Sequence, residues 1–135
     1  MAMWLGAMDP RIKVTVSAGF LSTVDNLHHG HCQCWDFPGF TENFAFCDIY
    51  SLIAPRALLC QIGAKEQAPG GFPAVSAYEA MTNIQRVYAV GSHGNLARLD
   101  IHPEGHVFQV STGCRFIGDA LDQPLSPKNI NESLP

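Results

Sequence analysis

Two ionisable residues stand where a parallel-sheet enzyme would need them. Glu66 lies three residues past Gly63, which ends an apolar run, and His106 lies in Asp100-Ile-His-Pro-Glu-Gly-His-Val-Phe108, just past an alternating run. In open parallel sheets, ligands bind beyond the carboxyl ends of the strands. Adjacent strands would bring the two loops together. A carboxylate beside an imidazole fixes the ring's tautomer and stabilises the imidazolium, which is the orienting half of a nucleophilic triad. The plain alternative is a pair of solvated loop residues.

Other residues could also do chemistry. His28-His-Gly-His-Cys-Gln-Cys34 packs five imidazole or thiol groups into seven residues. Those are zinc-type ligands, although a structural site usually separates its ligand pairs by a longer loop. A metal-binding module at residues 28–34 is therefore one reading, with adventitious nickel or zinc binding beside it. Asp48 and Asp100 are alternative acids, with a helix cap and a strand surface as their plainer roles. His102 reads as a packing or surface residue. Trp35, Phe37, Phe40, Phe44 and Phe46 could line an acyl or sugar pocket, or form ordinary core beneath a long loop.

The elements that must position these groups follow from pattern. Residues 1–9 read as two turns of an amphipathic helix that Asp9-Pro10 ends, because proline disfavours helical geometry in the residue before it. Ile12, Val14 and Val16 alternate with polar residues, a strand period, and Gly19 closes the strand. Residues 20–47 lack periodicity, and so long a segment is often functional. Asp48 is expected to cap a short helix over 49–54. Residues 57–62 are apolar but for Gln61, as in a strand covered on both faces. Pro73 suits the first position of a helix. Val75, Tyr78, Met81, Ile84 and Tyr88 then form its apolar face, with Gly91 as a left-handed stop. Residues 96–101 alternate as a half-exposed third strand, and a last helix spans 107–121. Strands alternating with helices give an α/β fold with a parallel sheet. The expected organisation is one partial domain over 1–121 and a polar, three-proline tail over 122–135.

Composition narrows the class. The chain has 135 residues, 47% hydrophobic and 15% charged, with a formal net charge of -4. That is globular rather than disordered. The acidic balance argues against nucleic acid as a partner, and no apolar run is long enough to span a membrane as a helix. The odd count of five cysteines does not suit a disulfide framework. No basic stretch precedes the first apolar residues, so no signal peptide is expected and the cytoplasm is the default compartment.

The stretch from Leu5 to Phe108, about three quarters of the chain, resembles the C-terminal half of an α/β-hydrolase of the acetyl xylan esterase and dienelactone hydrolase-like group. Gly6-Ala-Met-Asp-Pro-Arg-Ile-Lys-Val14 is similar to the passage after the nucleophile elbow. His31-Cys-Gln-Cys-Trp-Asp-Phe-Pro-Gly39 is similar to a Cys-x-Cys loop before Pro-Gly. Asp48-Ile-Tyr-Ser-Leu-Ile-Ala-Pro-Arg-Ala-Leu-Leu59 resembles the approach to the acid-bearing strand, and Asp100-Ile-His-Pro-Glu-Gly-His106 the histidine loop. The resemblance implies the C-terminal portion of an α/β-hydrolase fold, about three parallel strands with flanking helices. It implies hydrolysis of a small ester or acetylated carbohydrate, with no cofactor or metal. Carried over, His106 is the base and Glu66 stands at the acid position of a Gly-x-x-Asp pattern, in a loop a residue or two longer than usual. The family's nucleophile is the Ser of a Gly-x-Ser-x-Gly elbow. No such motif occurs here. Ser17 lacks the preceding Gly and falls at the end of a strand, and in the family the elbow would come just before Met1. Loss of the nucleophile alone costs on the order of a millionfold in turnover, so the chain by itself is expected to be inactive. A competing expectation is a non-catalytic truncated relative that forms a homodimer, or meets another partner, through an open sheet edge.

Overall fold

The computed structural model describes residues 2–122. Most of the expected tail, 123–135, lies outside the described residues. In chain order the elements are α1 (Ala2–Met8), β1 (Val14–Ala18), α2 (Val24–Leu27), α3 (Phe40–Asn43), α4 (Phe46–Ser51), β2 (Ala57–Gly63), α5 (Ala74–Val90), a 3-10 turn (Gly94–Leu96), β3 (Ala97–His102) and α6 (Val110–Asp122). The strands form one sheet in the order β1-β2-β3. Both pairings are parallel, with Ser17 opposite Cys60 and Gly63 opposite His102.

Both faces of the sheet are covered, as the nearly unbroken apolar run of β2 requires. Every residue of β2 is buried. One face carries the larger core, where Leu58, Cys60 and Ile62 meet Met3 of α1, Ile49 and Tyr50 of α4 and Met81 and Ile84 of α5. On the other face Ala57 and Leu59 pack against Phe116 of α6. Strand β1 buries its polar face more deeply than its apolar one: Thr15 and Ser17 are buried while Val14 and Val16 are half-buried. The helices over that side are the reason. Tyr50 Oη lies 2.6 Å from Ser17 Oγ, so the buried hydroxyl has a partner and burial costs little. The same burial pushes the Tyr50 phenol well above its ordinary range.

Several boundaries differ from the pattern reading, each for a local reason. Residues 20–47 contain the short helices α2 and α3 rather than irregular chain alone. Helix α4 starts at Phe46, ahead of Asp48, whose carboxylate reaches back to accept the Ala45 N–H at 2.7 Å. Asp48 caps the helix from its third position, not from before its start. On α5 the buried face is Ala77, Ala80, Met81, Ile84 and Tyr88, while Val75 and Tyr78 are 74% and 59% exposed. Steps of about 100° per residue place 75 and 78 well off the stripe centred on 77, 84 and 88, and two alanines let the helix sit close to the sheet. The left-handed residue after α5 is Ser92, at φ 61°, not Gly91, at φ -91°. Ser92 N–H bonds Ala89 O and His93 N–H bonds Tyr88 O, both at 3.0 Å, the paired bonds of a Schellman stop. A Cβ at Gly91 would come 2.8 Å from His93 Cδ2, so a larger residue there would have to displace the His93 ring.

Helix α6 starts at Val110 rather than 107, and Gln61 explains the delay. This one polar residue within β2 accepts the Gln109 N–H at 3.1 Å, and its amide donates to Gln109 O at 3.1 Å and to Asp100 Oδ2 at 3.2 Å. Gln109 is thus held in place before the first helical bond, from Gly113 N–H to Gln109 O. Gln61→Met keeps the volume but orphans these groups, and it is expected to lower unfolding free energy by about 2 kcal/mol in a urea titration. Amide exchange at Gln109 should rise with it, and an unchanged rate there would sink the clamp.

Candidate active site

The site is built where β2 and β3 end. Gly63 closes β2, and the turn that follows is fixed by the Glu66 N–H to Gly63 O bond at 3.0 Å. This turn folds the Glu66 side chain back under its own loop. Glu66 Oε1 accepts the Gly63 N–H at 3.2 Å, and Oε2 accepts the Phe72 N–H at 3.2 Å. Two backbone donors therefore hold a carboxylate whose side chain is only 5% exposed. A buried carboxylate needs such partners, because desolvating an unpaired charge is costly.

The loop after β3 is stitched to the same turn. Ala64 N–H bonds His102 O at 2.7 Å and Lys65 N–H bonds Glu104 O at 3.1 Å. Gly63 makes this possible, since a Cβ there would collide with the Glu104 and Gly105 carbonyls. The stitched loop presents His106, whose Nδ1 lies 3.0 Å from Glu66 Oε2. The side chain is 64% exposed. The acid holds Nδ1, which leaves Nε2 as the nitrogen that can exchange a proton, the arrangement of an acid-oriented base. The ring stacks on Phe72, with centroids 5.6 Å apart and planes 27° apart.

From the other side, Gly19 comes up beneath the imidazole at φ 76°. A Cβ there would lie 2.6 Å from His106 Nδ1. The glycine that ends β1 serves both as a left-handed turn and as the floor under the base.

The other candidate residues fall in different places. Asp48 caps α4 and Asp100 receives the Gln61 amide, so neither faces His106. Ser17 is buried against Tyr50. His102 is buried at the end of β3, with no partner for either ring nitrogen among the described residues. The cluster at 28–34 does not converge. His28 packs on Trp35, His29 Nδ1 lies 2.9 Å from Asp25 O, and His31 Nε2 lies 3.2 Å from Gly71 O. Among the described residues no three His, Cys, Asp or Glu side chains are placed to hold a metal ion. Each imidazole is turned to a separate local partner, so the side chains of 28–34 are not gathered around one point in this structure.

The aromatics divide as core and rim. Trp35, Phe40 and Phe46 are buried, while Phe37 and Phe44 are exposed. They also form a continuous path to the site. Phe46 packs edge-on against Phe20 at 5.2 Å, Phe20 meets Phe72 at 5.7 Å, and Phe72 supports His106. His31 packs against Phe72, tilted by 39° with centroids 4.7 Å apart, so the histidine- and cysteine-rich loop reaches the site through that ring. Pattern reading gave Phe72 no place at the site, read Gly19 only as the end of a strand and read His31 only as a candidate metal ligand and part of a Cys-x-Cys loop.

No family model matches the chain, and no curated protein matches it. Solved structures do. A carbohydrate esterase family 15 glucuronoyl esterase from Caldicellulosiruptor kristjansonii superposes with a TM-score of 0.66 at 16% identity, over 85% of this chain and 38% of its own. A promiscuous esterase of the same family, from a marine bacterial metagenome, gives 0.63 at 14% identity, over 88% of this chain and 38% of its own. The glucuronoyl esterase catalytic domain from Hypocrea jecorina gives 0.63 at 17% identity, over 90% and 41%. The fold is part of an α/β-hydrolase fold. The chain spans about two fifths of the length of these structures.

Two substitutions probe the site without any substrate. Glu66→Ala orphans two buried N–H groups, so unfolding free energy should fall by about 2–4 kcal/mol. Nitrogen NMR should then report loss of the Nδ1–H tautomer preference at His106. Gly19→Ala is expected to displace the ring and shift its resonances. Unshifted resonances would show that the glycine does not support the base.

Proposed function

We propose that this chain carries the acid and base of a serine-type carboxylic ester hydrolase, with Glu66 orienting His106 and the nucleophile supplied by residues outside it. One observation carries the reading: a buried, doubly hydrogen-bonded carboxylate grips Nδ1 of an exposed imidazole at 3.0 Å. In this mechanism His106 Nε2 takes the proton of a serine hydroxyl as that oxygen attacks the ester carbonyl. It then returns the proton to the departing alkoxide. Glu66 stabilises the imidazolium between these steps. A glutamate can replace the more usual aspartate, and its extra methylene suits a carboxylate that must fold back under its own turn while still reaching the ring.

The proposed substrate class is a carboxylic ester on a carbohydrate. The resemblance to acetyl xylan esterases supports it, as do solved structures that are themselves named glucuronoyl esterases. The first favours a small acetyl group and the second a sugar carboxylate ester, and both classes share the same acid–base pair. The 135 residues contain no Gly-x-Ser-x-Gly, and Ser17 is committed to Tyr50. On an activated short acyl ester, this chain is therefore expected to show no hydrolysis above buffer. A version extended upstream through an in-frame elbow should be active and should lose at least about 10³-fold in His106→Ala. Hydrolysis by the short chain that vanishes in His106→Ala would overturn the need for an outside nucleophile. An extended chain indifferent to His106→Ala would overturn the reading itself.

A second reading is favoured by the sheet order, in which β1 is an edge strand, with Leu5 and Met8 of the neighbouring segment exposed. An unpaired edge beside apolar surface is a template for another strand. In this reading a second copy pairs with β1. Sedimentation equilibrium should then give a dimer that Val16→Pro dissociates, because proline removes a ladder donor. A monomer at all concentrations would dispose of it.

A further inference from the structure

The ester-hydrolase reading leaves the pair Cys32 and Cys34 without a role. Both side chains are exposed, unlike Cys60, which is buried in the core, and Cys47, which is half-buried. Their turn is pinned from within. The Gln33 amide, between them, donates to Leu27 O and to His31 O, both at 3.0 Å. Asp36 N–H closes the turn on Gln33 O at 3.1 Å. With Gln33 turned back into the loop, the flanking thiols are held side by side at the surface. The Cys34 N–H donates to Cys32 Sγ at 3.2 Å.

The two sulfurs are not equivalent. The neighbouring Cys34 thiol, together with the Cys34 N–H donated at 3.2 Å, lowers the Cys32 pKa below the ordinary thiol value. The Cys32 sulfur beside it raises that of Cys34. Thiolate is the attacking form, so a thiol with a lowered pKa beside one that keeps its proton divides into an attacking and a resolving partner.

We propose that Cys32 and Cys34 form a dithiol–disulfide couple that exchanges with small disulfides of the glutathione type, with Cys32 attacking and Cys34 resolving. The Cys32 thiolate attacks one sulfur of the small disulfide. A Cys32–S–S–R bond forms, the S–S bond of the reagent breaks, and one thiolate leaves. Cys34 then gives its proton to solvent, and its thiolate attacks Cys32 Sγ. The ring disulfide forms and the second small thiolate leaves. The protein loses two electrons and two protons, and the small disulfide becomes two thiols. The reverse sequence reduces the pair, with the small thiol as reductant. The proposal is independent of the acid–base pair at Glu66 and His106, since neither residue enters the exchange.

The test uses the whole chain incubated with glutathione disulfide, quenched with an alkylating reagent and mapped by peptide mass. Cys114, which is exposed on α6, serves as an internal control for a single thiol. The peptide holding Cys32 and Cys34 should lose two hydrogens and take neither label nor glutathione, whereas Cys114 takes glutathione singly. With Cys34→Ser, Cys32 should stop at the mixed disulfide. Cys34 in Cys32→Ser should alkylate at least about tenfold more slowly near neutral pH than Cys32 in Cys34→Ser. Glutathione on either cysteine of the unmodified chain with no internal disulfide would overturn the couple. Equal alkylation rates in the two variants would overturn the division of roles.

Discussion

The Glu66 carboxylate is the point on which the carboxyl end of the sheet is organised. Its two oxygens gather the end of β2, the far end of the 67–72 loop and the imbedded face of His106. Neither the 67–72 loop nor the segment that carries His106 has regular secondary structure to hold it. A single acidic group with two acceptor atoms replaces the ladder bonds that end at Gly63. The contact is strong because it is dry: a carboxylate shielded from water holds its donors more firmly than one in solvent. The surface ion pair of Lys65 with Glu104, close by at 3.2 Å, adds little by comparison because both groups are well exposed.

The sheet beneath explains why this end of the molecule can be both rigid and open. Strand β2 is buried on both faces and both edges, so its last residue is among the best-fixed points in the fold. Glu66 hangs from that point by a short tether, and the loop that carries His106 is stitched to the same turn. The aromatic path from Phe46 through Phe20 to Phe72 carries the packing of the larger core up to the imidazole. The ring of His106 thus rests on hydrocarbon below and faces solvent above.

How much of this was legible in the sequence depended on the range of the interaction. Strands β2 and β3 were legible because an apolar run and an alternation are properties of neighbouring residues. The meeting of Glu66 and His106 was legible because adjacent parallel strands bring their carboxyl-end loops together. The face of α5 was misjudged at Val75 and Tyr78, because a pattern of large apolar residues outweighed the alanines that do the packing. The clamp from Gln61 to Gln109 was unreadable, since it joins residues 48 apart and appears locally only as a polar interruption. Gly19 beneath His106 and the Phe72 N–H on Glu66 are invisible for the same reason. The seven-residue run of histidines and cysteines offers metal ligands by composition, yet its spacing is too tight for a usual structural site, and backbone carbonyls nearby hold two of its imidazoles.

The bracketing of the histidine loop has a further consequence. Before His106 the chain is fastened at His102 and Glu104 to the turn that follows β2, and after it to β2 itself at Gln109. Only the four residues 105–108 lie between these fastenings, and His106 among them is held by Glu66. The segment from 20 to 45 has no comparable pair of fastenings on one strand and is padded by aromatic side chains that can repack. A fold of this design can therefore accommodate a longer or reshaped segment there, while the span that presents His106 keeps its length. Freedom in one loop and constancy in the other both follow from where β2 and the turn after it make their hydrogen bonds.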